Sequence, residues 1–138
     1  MKCFNSQFGE IEYASDHVFS FPEGIIGFEQ LRKFIVINDA EVEPFRWLVS
    51  IEDEDFSLPI LDPNFIDPLY EVTNQFGEGK TVAVVASLKD PIEHSTVNLR
   101  SPLLFNPTER TAQQTILGNE RYAIQHKFIT DPQLVTGV

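Results

Sequence analysis

Residues 45–51 read Phe45-Arg46-Trp47-Leu48-Val49-Ser50-Ile51, with Phe, Trp, Val and Ile on one parity and a mixed set on the other. A period of two is that of an extended strand, whose successive side chains point to opposite faces. The same alternation surrounds this stretch, at Phe8–Tyr13, His17–Phe21 and Phe34–Ile37. Further short runs rich in β-branched or aromatic residues, bounded by Pro, Gly, Asn or Asp, follow at Phe56–Leu61, Lys80–Leu88, Val97–Arg100, Leu103–Phe105, Thr115–Leu117 and Tyr122–His126. Short strands at this spacing predict an all-β, mainly antiparallel fold, a small β-barrel or sandwich-like domain.

Helix is scarce, because 9 Pro are scattered along the chain. Only Phe28, Leu31 and Phe34 fall on one helical face, which predicts a short helical turn over 28–34, and Asn64 is placed to cap a second over 64–69. At 138 residues the chain suits one domain over 1–138, and the segment 131–138, with Pro132 and Gly137 and little periodicity, is expected to be a loosely held tail.

The hydrophobic fraction of 42% is ordinary for a globular protein. Ten Lys and Arg against 21 Asp and Glu give a net charge of -11, which repels phosphate backbones and anionic lipid. Neither direct nucleic-acid binding nor membrane-surface binding is therefore expected. The amino end reaches Glu10 and Glu12 without an apolar signal region, the longest strongly apolar run is Thr81–Leu88, and Cys3 is the single cysteine. A cytoplasmic location is the expectation.

Motifs for catalysis or cofactors fail in detail. Gly77-Glu78-Gly79-Lys80-Thr81 ends like a phosphate-binding loop, but Asn74 stands where the first Gly belongs, and the residues after it read as a strand rather than a helix. Gly24-Ile25-Ile26-Gly27 is too short for a dinucleotide fingerprint and is expected to shape the backbone, with Pro22 fixing φ before the bend. His17, His94, His126 and Cys3 share no short metal-ligand spacing, Asp53-Glu54-Asp55 lacks the Gly and terminal Glu of a calcium loop, and no Gly-x-Ser-x-Gly elbow occurs. No cofactor, metal or catalytic residue is predicted. The 12 Phe, by contrast, are many for one small interior, and some are expected to line a surface groove.

A set of motifs then resembles one family. Phe21-Pro22-Glu23-Gly24-Ile25-Ile26-Gly27-Phe28-Glu29, Pro44-Phe45-Arg46-Trp47-Leu48-Val49-Ser50, Asp62-Pro63 with Tyr70, Thr96-Val97-Asn98-Leu99-Arg100-Ser101-Pro102, Asn106, Gln114-Thr115-Ile116-Leu117 and Tyr122 occur in the order and approximate spacing of the FliW flagellar assembly factors. The resemblance runs from about Phe8 to Tyr122. Within it, Phe21, Pro22, Gly24, Gly27, Phe28, Ser50, Asn98, Leu99, Pro102, Asn106 and Gln114 are the motif residues expected to be structural. Ile26, Val49 and Leu58 stand where the family commonly has Pro, Gln and Phe, and Val49 is the departure expected to remove a polar contact at a binding surface.

The resemblance implies a β-barrel-like fold and a non-catalytic role: binding flagellin in the cytoplasm, and sequestering the RNA-binding regulator CsrA so that flagellin translation is relieved of repression. The acidic segments Glu41 with Glu43, and Glu52-Glu54 with Asp53 and Asp55, become candidate contacts for that basic regulator, and flagellin is expected on a chemically distinct apolar surface. The competing reading is a small-molecule-binding or enzymatic barrel whose aromatics line an internal pocket.

Overall fold

The computed structural model describes residues 1–70, 80–118 and 121–127. Phe76, the Gly77–Gly79 part of the loop-like motif and the 131–138 tail lie outside them. Eleven strands follow in chain order: β1 Lys2–Asn5, β2 Gly9–Glu12, β3 Phe19–Ser20, β4 Lys33–Asn38, β5 Arg46–Ser50, β6 Ser57–Leu61, β7 Thr81–Ser87, β8 Thr96–Val97, β9 Leu103–Asn106, β10 Thr111–Gln114 and β11 His126–Lys127. β1 and β2 form a separate hairpin, and the others form one sheet in the order β11-β8-β7-β6-β5-β4-β3-β10-β9. A further pairing of β7 with β9 joins the ends of β3–β7, β9 and β10 into a closed seven-stranded barrel. All ladders are antiparallel except the contact of β10 with β3, Thr111 opposite Ser20.

Closure explains the aromatic usage. Phe19, Phe21, Phe34, Phe56 and Phe105 fill the interior with Leu48, Ile60 and Leu103. Their rings meet edge to face, Phe21 on Phe34 at 5.0 Å and Phe19 on Phe105 at 4.9 Å, so they fill the barrel rather than line a cavity. Such contacts add about 0.5–1.5 kcal/mol each beyond area burial. On β7 the parity divides between two cores: Ala83 and Val85 face the interior, while Val82, Val84 and Ala86 join Phe45, Leu61, Tyr70, Leu99 and Tyr122 in a second cluster. A strand covered on both faces reads as an unbroken apolar run, which is what Val82–Ala86 shows.

The opposite face of β4 and β5 is covered too. Ile35 and Val49 are cross-strand partners and both are buried, as part of a face that continues to Ile37 and Trp47. The β1–β2 hairpin lies over it, with Phe8 edge-on to Trp47 at 5.7 Å. Buried Asn5 pins the hairpin: its Nδ2 donates to the Phe56 carbonyl, and its Oδ1 accepts from the amides of Gln7 and Phe8.

Four expectations change. β1 and β10 were not foreseen, since Lys2–Asn5 and Thr111–Gln114 carry no clean alternation. The run Thr115–Leu117 forms no strand, though Thr115 N–H donates to Pro102 O and Leu117 N–H to Arg100 O, and of Val97–Arg100 and Tyr122–His126 only Val97 and His126 lie in strands. Asn64 does not cap its turn: Asp62 does, its carboxylate accepting from Asn64 N–H ahead of the 3-10 turn Pro63–Phe65.

The fourth change is residues 28–34, which are not helical. Three successive β-turns carry the chain from Phe21 to Leu31, closed by Gly24 N–H to Phe21 O, Phe28 N–H to Ile25 O and Leu31 N–H to Phe28 O. Pro22 takes the second position of the first turn. Gly27 takes the third of the next at φ +90°, a place that needs positive φ in a type II turn. Beyond them the amides of Arg32 and Lys33 are taken by the Glu52 carboxylate at 2.7 and 2.8 Å, not by helical carbonyls.

Gly24 carries the tighter constraint: at φ +70°, an added Cβ would sit 2.6 Å from the Glu29 Cα, whereas at Gly27 it would meet nothing. Gly27→Ala is therefore expected to cost about 1–2 kcal/mol from left-handed strain alone. Gly24→Ala adds a steric displacement worth roughly 1–3 kcal/mol more. Thermal denaturation should rank wild type above Gly27→Ala and Gly27→Ala above Gly24→Ala; equal midpoints for the two variants would remove the Glu29 contact as a cause.

Candidate protein-binding groove

The three turns deliver Ile25, Ile26 and Phe28 to the edge of the interior core, beside Leu58 of β6 and Val85 of β7, whose side chains pack against that core. The turn Asn98–Ser101 and the strand end at Gln114 close the other side, and Ile116 and Ile124 complete the rim. Together they line a groove of about 430 Å³. Four large apolar side chains around it stay in solvent: Ile26 is 54% exposed, Phe28 40%, Ile116 66% and Ile124 56%. Single exposed apolar residues are ordinary on a protein surface, but four around one concavity mark a contact surface.

The lining is held by backbone capture. Gln114 bridges both walls, its Oε1 accepting from Ile26 N–H at 2.9 Å and its Nε2 donating to Ser101 O at 3.1 Å. Asn98 Oδ1 accepts from the amides of Arg100 and Ser101, an Asx turn that ends β8 after two residues. Arg100 Nε donates to Tyr122 O, and Leu99 N–H to Ala123 O, which fixes the segment leading to Ile124. Beneath the turn the buried Tyr70 hydroxyl donates to Leu99 O at 2.6 Å, its ring against Tyr122 at 4.7 Å. Burial first, then Tyr122 and Asp67 nearby, pushes the Tyr70 phenol well above its ordinary range. On the facing turn, backbone hydrogen bonds from Glu29 and Gly27 lower the Glu29 carboxyl.

The other residues singled out in the sequence fall into two groups. Phe21, Leu99 and Pro102 are buried, Pro22 is exposed in its turn, and Ser50 and Asn106 use side-chain oxygens to cap turns after β5 and β9. The acidic residues lie at opposite ends of β5: Glu41 and Glu43 in the connection before it, Glu52, Asp53, Glu54 and Asp55 in the one after. All six are exposed, although Glu52 is also committed to the Arg32 and Lys33 amides and Asp53 Oδ1 to the Asp55 amide. Among the described residues no group of three or more His, Cys, Asp or Glu is placed to hold a metal ion, and no helix is long and apolar enough to cross a membrane.

Two of the three departures from the family pattern, Ile26 and Leu58, line the groove. The third does not touch a binding surface: Val49 is fully buried, where its side chain adds apolar contact and no exposed polar group is lost. Sequence reading passed over Ile116 and Ile124 as groove residues. The parity of Gln114-Thr115-Ile116-Leu117 was the available signal, since Gln114 and Ile116 share the groove side while Leu117 packs on the second core.

A closed β-barrel filled with aromatic side chains, with four exposed apolar side chains around one clamped groove, defines a small binding module. Comparison with known proteins places it more narrowly. The family model for the FliW protein matches residues 2–129. The flagellar assembly factor FliW of Thermosipho africanus is 42% identical over 136 residues, covering 91% of this chain and 94% of its own, and that of Thermotoga maritima is 35% identical over 134 residues, covering 89% and 90%. A crystal structure of the flagellar assembly factor FliW superposes with a TM-score of 0.83 at 26% identity, covering 95% of this chain and 99% of that one. This chain belongs to the FliW family of flagellar assembly factors.

Tyr70→Phe keeps the ring and leaves Leu99 O buried without its donor, at an expected cost of about 1–3 kcal/mol near neutral pH. Because the folded phenol ionises above its unfolded value of about 10, its contribution is complete below pH 10 and falls as pH rises toward the folded value. The stability gap between wild type and Tyr70→Phe should therefore narrow above pH 10 in denaturant titrations. A gap constant through that range contradicts the assignment.

Proposed function

We propose that this protein is a non-catalytic cytoplasmic assembly factor that holds flagellin in the apolar groove before export and, through its acidic loops, sequesters the RNA-binding regulator CsrA, relieving repression of flagellin translation. The observation that carries the flagellin part is the cluster Ile26, Phe28, Ile116 and Ile124, four exposed apolar side chains around one groove. The terminal segments of flagellin form amphipathic helices that lack a partner until assembly, and an apolar groove accepts such a face. Membership of a family of flagellar assembly factors is in keeping with a flagellar partner.

The net charge of -11 favours encounter with a basic RNA-binding protein while disfavouring the RNA itself. Glu54 and Asp55 are the freest acids for that contact, because Glu52 and Asp53 also hold backbone amides. Flagellin and CsrA are then read by different chemistry, one by apolar burial and the other by charge.

Calorimetry with each partner at low and high salt tests the division. Ile26→Asp combined with Ile116→Asp should weaken flagellin binding by roughly 100-fold, the loss of two well-packed anchors, and leave CsrA binding unchanged. Glu54→Lys with Asp55→Lys should slow CsrA association at low salt and spare flagellin, since rim charges act mainly on the on-rate. Flagellin binding should depend weakly on salt and carry a negative heat-capacity change. No flagellin binding, or steep salt dependence equal to that of CsrA, would overturn the assignment.

A further inference from the structure

The β1–β2 hairpin presents a strand edge that nothing among the described residues covers. Met1 and Tyr13 exchange both backbone bonds, the terminal amino group donating to Tyr13 O and Tyr13 N–H to Met1 O, each at 2.9 Å. The register then places Cys3 opposite Ile11 and Asn5 opposite Gly9 as the further hydrogen-bonded pairs. Lys2 and Phe4 fall between them, so their N–H and C=O groups point away from β2. The next residue of that outward row confirms the direction, because Ser6 N–H donates to Glu54 O at 2.8 Å.

Ser6 Oγ donates to the same Glu54 O, and beyond this contact the edge and the loop after β5 diverge, flanking an open groove of about 600 Å³. Phe4, Leu31 and Ile51 give it apolar surface, and Glu52, Asp53 and Glu54 give it negative charge. Lys2 does not offset that charge, since its ammonium lies 3.0 Å from Glu10 and 3.7 Å from Glu12 of its own hairpin. Exposed edges are commonly blunted by Pro, a bulge or a covering segment. Here the edge runs open beside an acidic wall, and Phe4 on it is 57% exposed.

We propose that this groove takes an extended, Lys- or Arg-bearing segment of a partner protein, which adds to β1 as a third strand. Main-chain bonds to Lys2 and Phe4 supply register, the carboxylates of Asp53 and Glu54 select positive side chains, and Phe4 packs against the added strand. The inference rests on the reading that a basic protein docks at the loop after β5, and it specifies how: by strand addition, not by charge alone.

Phe4 is the position where the two modes separate. Its N–H points outward, so Phe4→Pro deletes the edge donor without removing a bond of the hairpin, while Phe4→Ala removes the same ring and keeps the donor. With CsrA as the probe, Phe4→Pro should bind at least tenfold more weakly than Phe4→Ala. Hydrogen exchange on the wild-type protein gives a second readout that needs no variant: saturation with CsrA should slow exchange of the Lys2 and Phe4 amides at least tenfold. Equal binding by the two variants, with no added protection, would overturn strand addition while leaving the acidic-loop contact standing. Absence of any CsrA binding by the wild type would remove both. A concentration-dependent dimer of this chain that Phe4→Pro abolishes would assign the edge to a second copy and overturn the proposal as well. Should Phe4→Pro fail to fold, the exchange measurement decides.

Discussion

The pairing of β7 with β9 is the contact on which the rest of the structure depends. With β6 on one edge of β7 and β9 on the other, a row of short strands becomes a barrel, and every strand in it must then send alternate residues inward. The interior is narrow and needs large flat side chains. Five Phe meet that need: Phe19 and Phe21 meet Phe105, and Phe21 meets Phe34, edge to face, while Phe34 and Phe56 pack at a tilt. The exposed apolar side chains Ile26, Phe28, Ile116 and Ile124 gather where this core meets the surface.

The outer wall is covered in two places: behind β7 and β9 by a second core of Phe45, Tyr70, Leu99 and Tyr122, and over β4 and β5 by the β1–β2 hairpin, pinned by Asn5. At the edge of the interior core, beside the turns at Gly24 and Gly27, Ile26, Phe28, Ile116 and Ile124 stay exposed around the groove. Gln114 holds the two walls of that groove at a fixed separation by bonding the backbone of each. A surface fixed before a partner arrives loses little entropy on binding.

The strands of the barrel were legible where one face is buried and the other is not, as in Phe45–Ile51, because burial then writes a period of two into the sequence. β10 was not, since its parity is carried by Ala112 alone between Thr and Gln, and β1 was not, since it pairs only with β2 at the edge of the molecule. The helical reading of Phe28, Leu31 and Phe34 went astray because Leu31 and Phe34 do point to the core, but from a turn and a strand that happen to match helical spacing. Of the groove, Gly24, Gly27, Asn98 and Gln114 were visible as motif residues, each required by local backbone geometry. Ile116 and Ile124 were hidden, because an exposed apolar residue in a sequence looks the same as a buried one until the fold brings its neighbours together.

The division of the surface into an apolar groove and separate acidic loops is the centre of this account. Isoleucine methyl spectra, recorded as flagellin is titrated into the protein, test it most directly. Ile26, Ile116 and Ile124 should shift together and saturate at one equivalent, while the amides of Asp53, Glu54 and Asp55 stay unperturbed. Shifts confined to the acidic loops, with the three groove methyls unchanged, would contradict it.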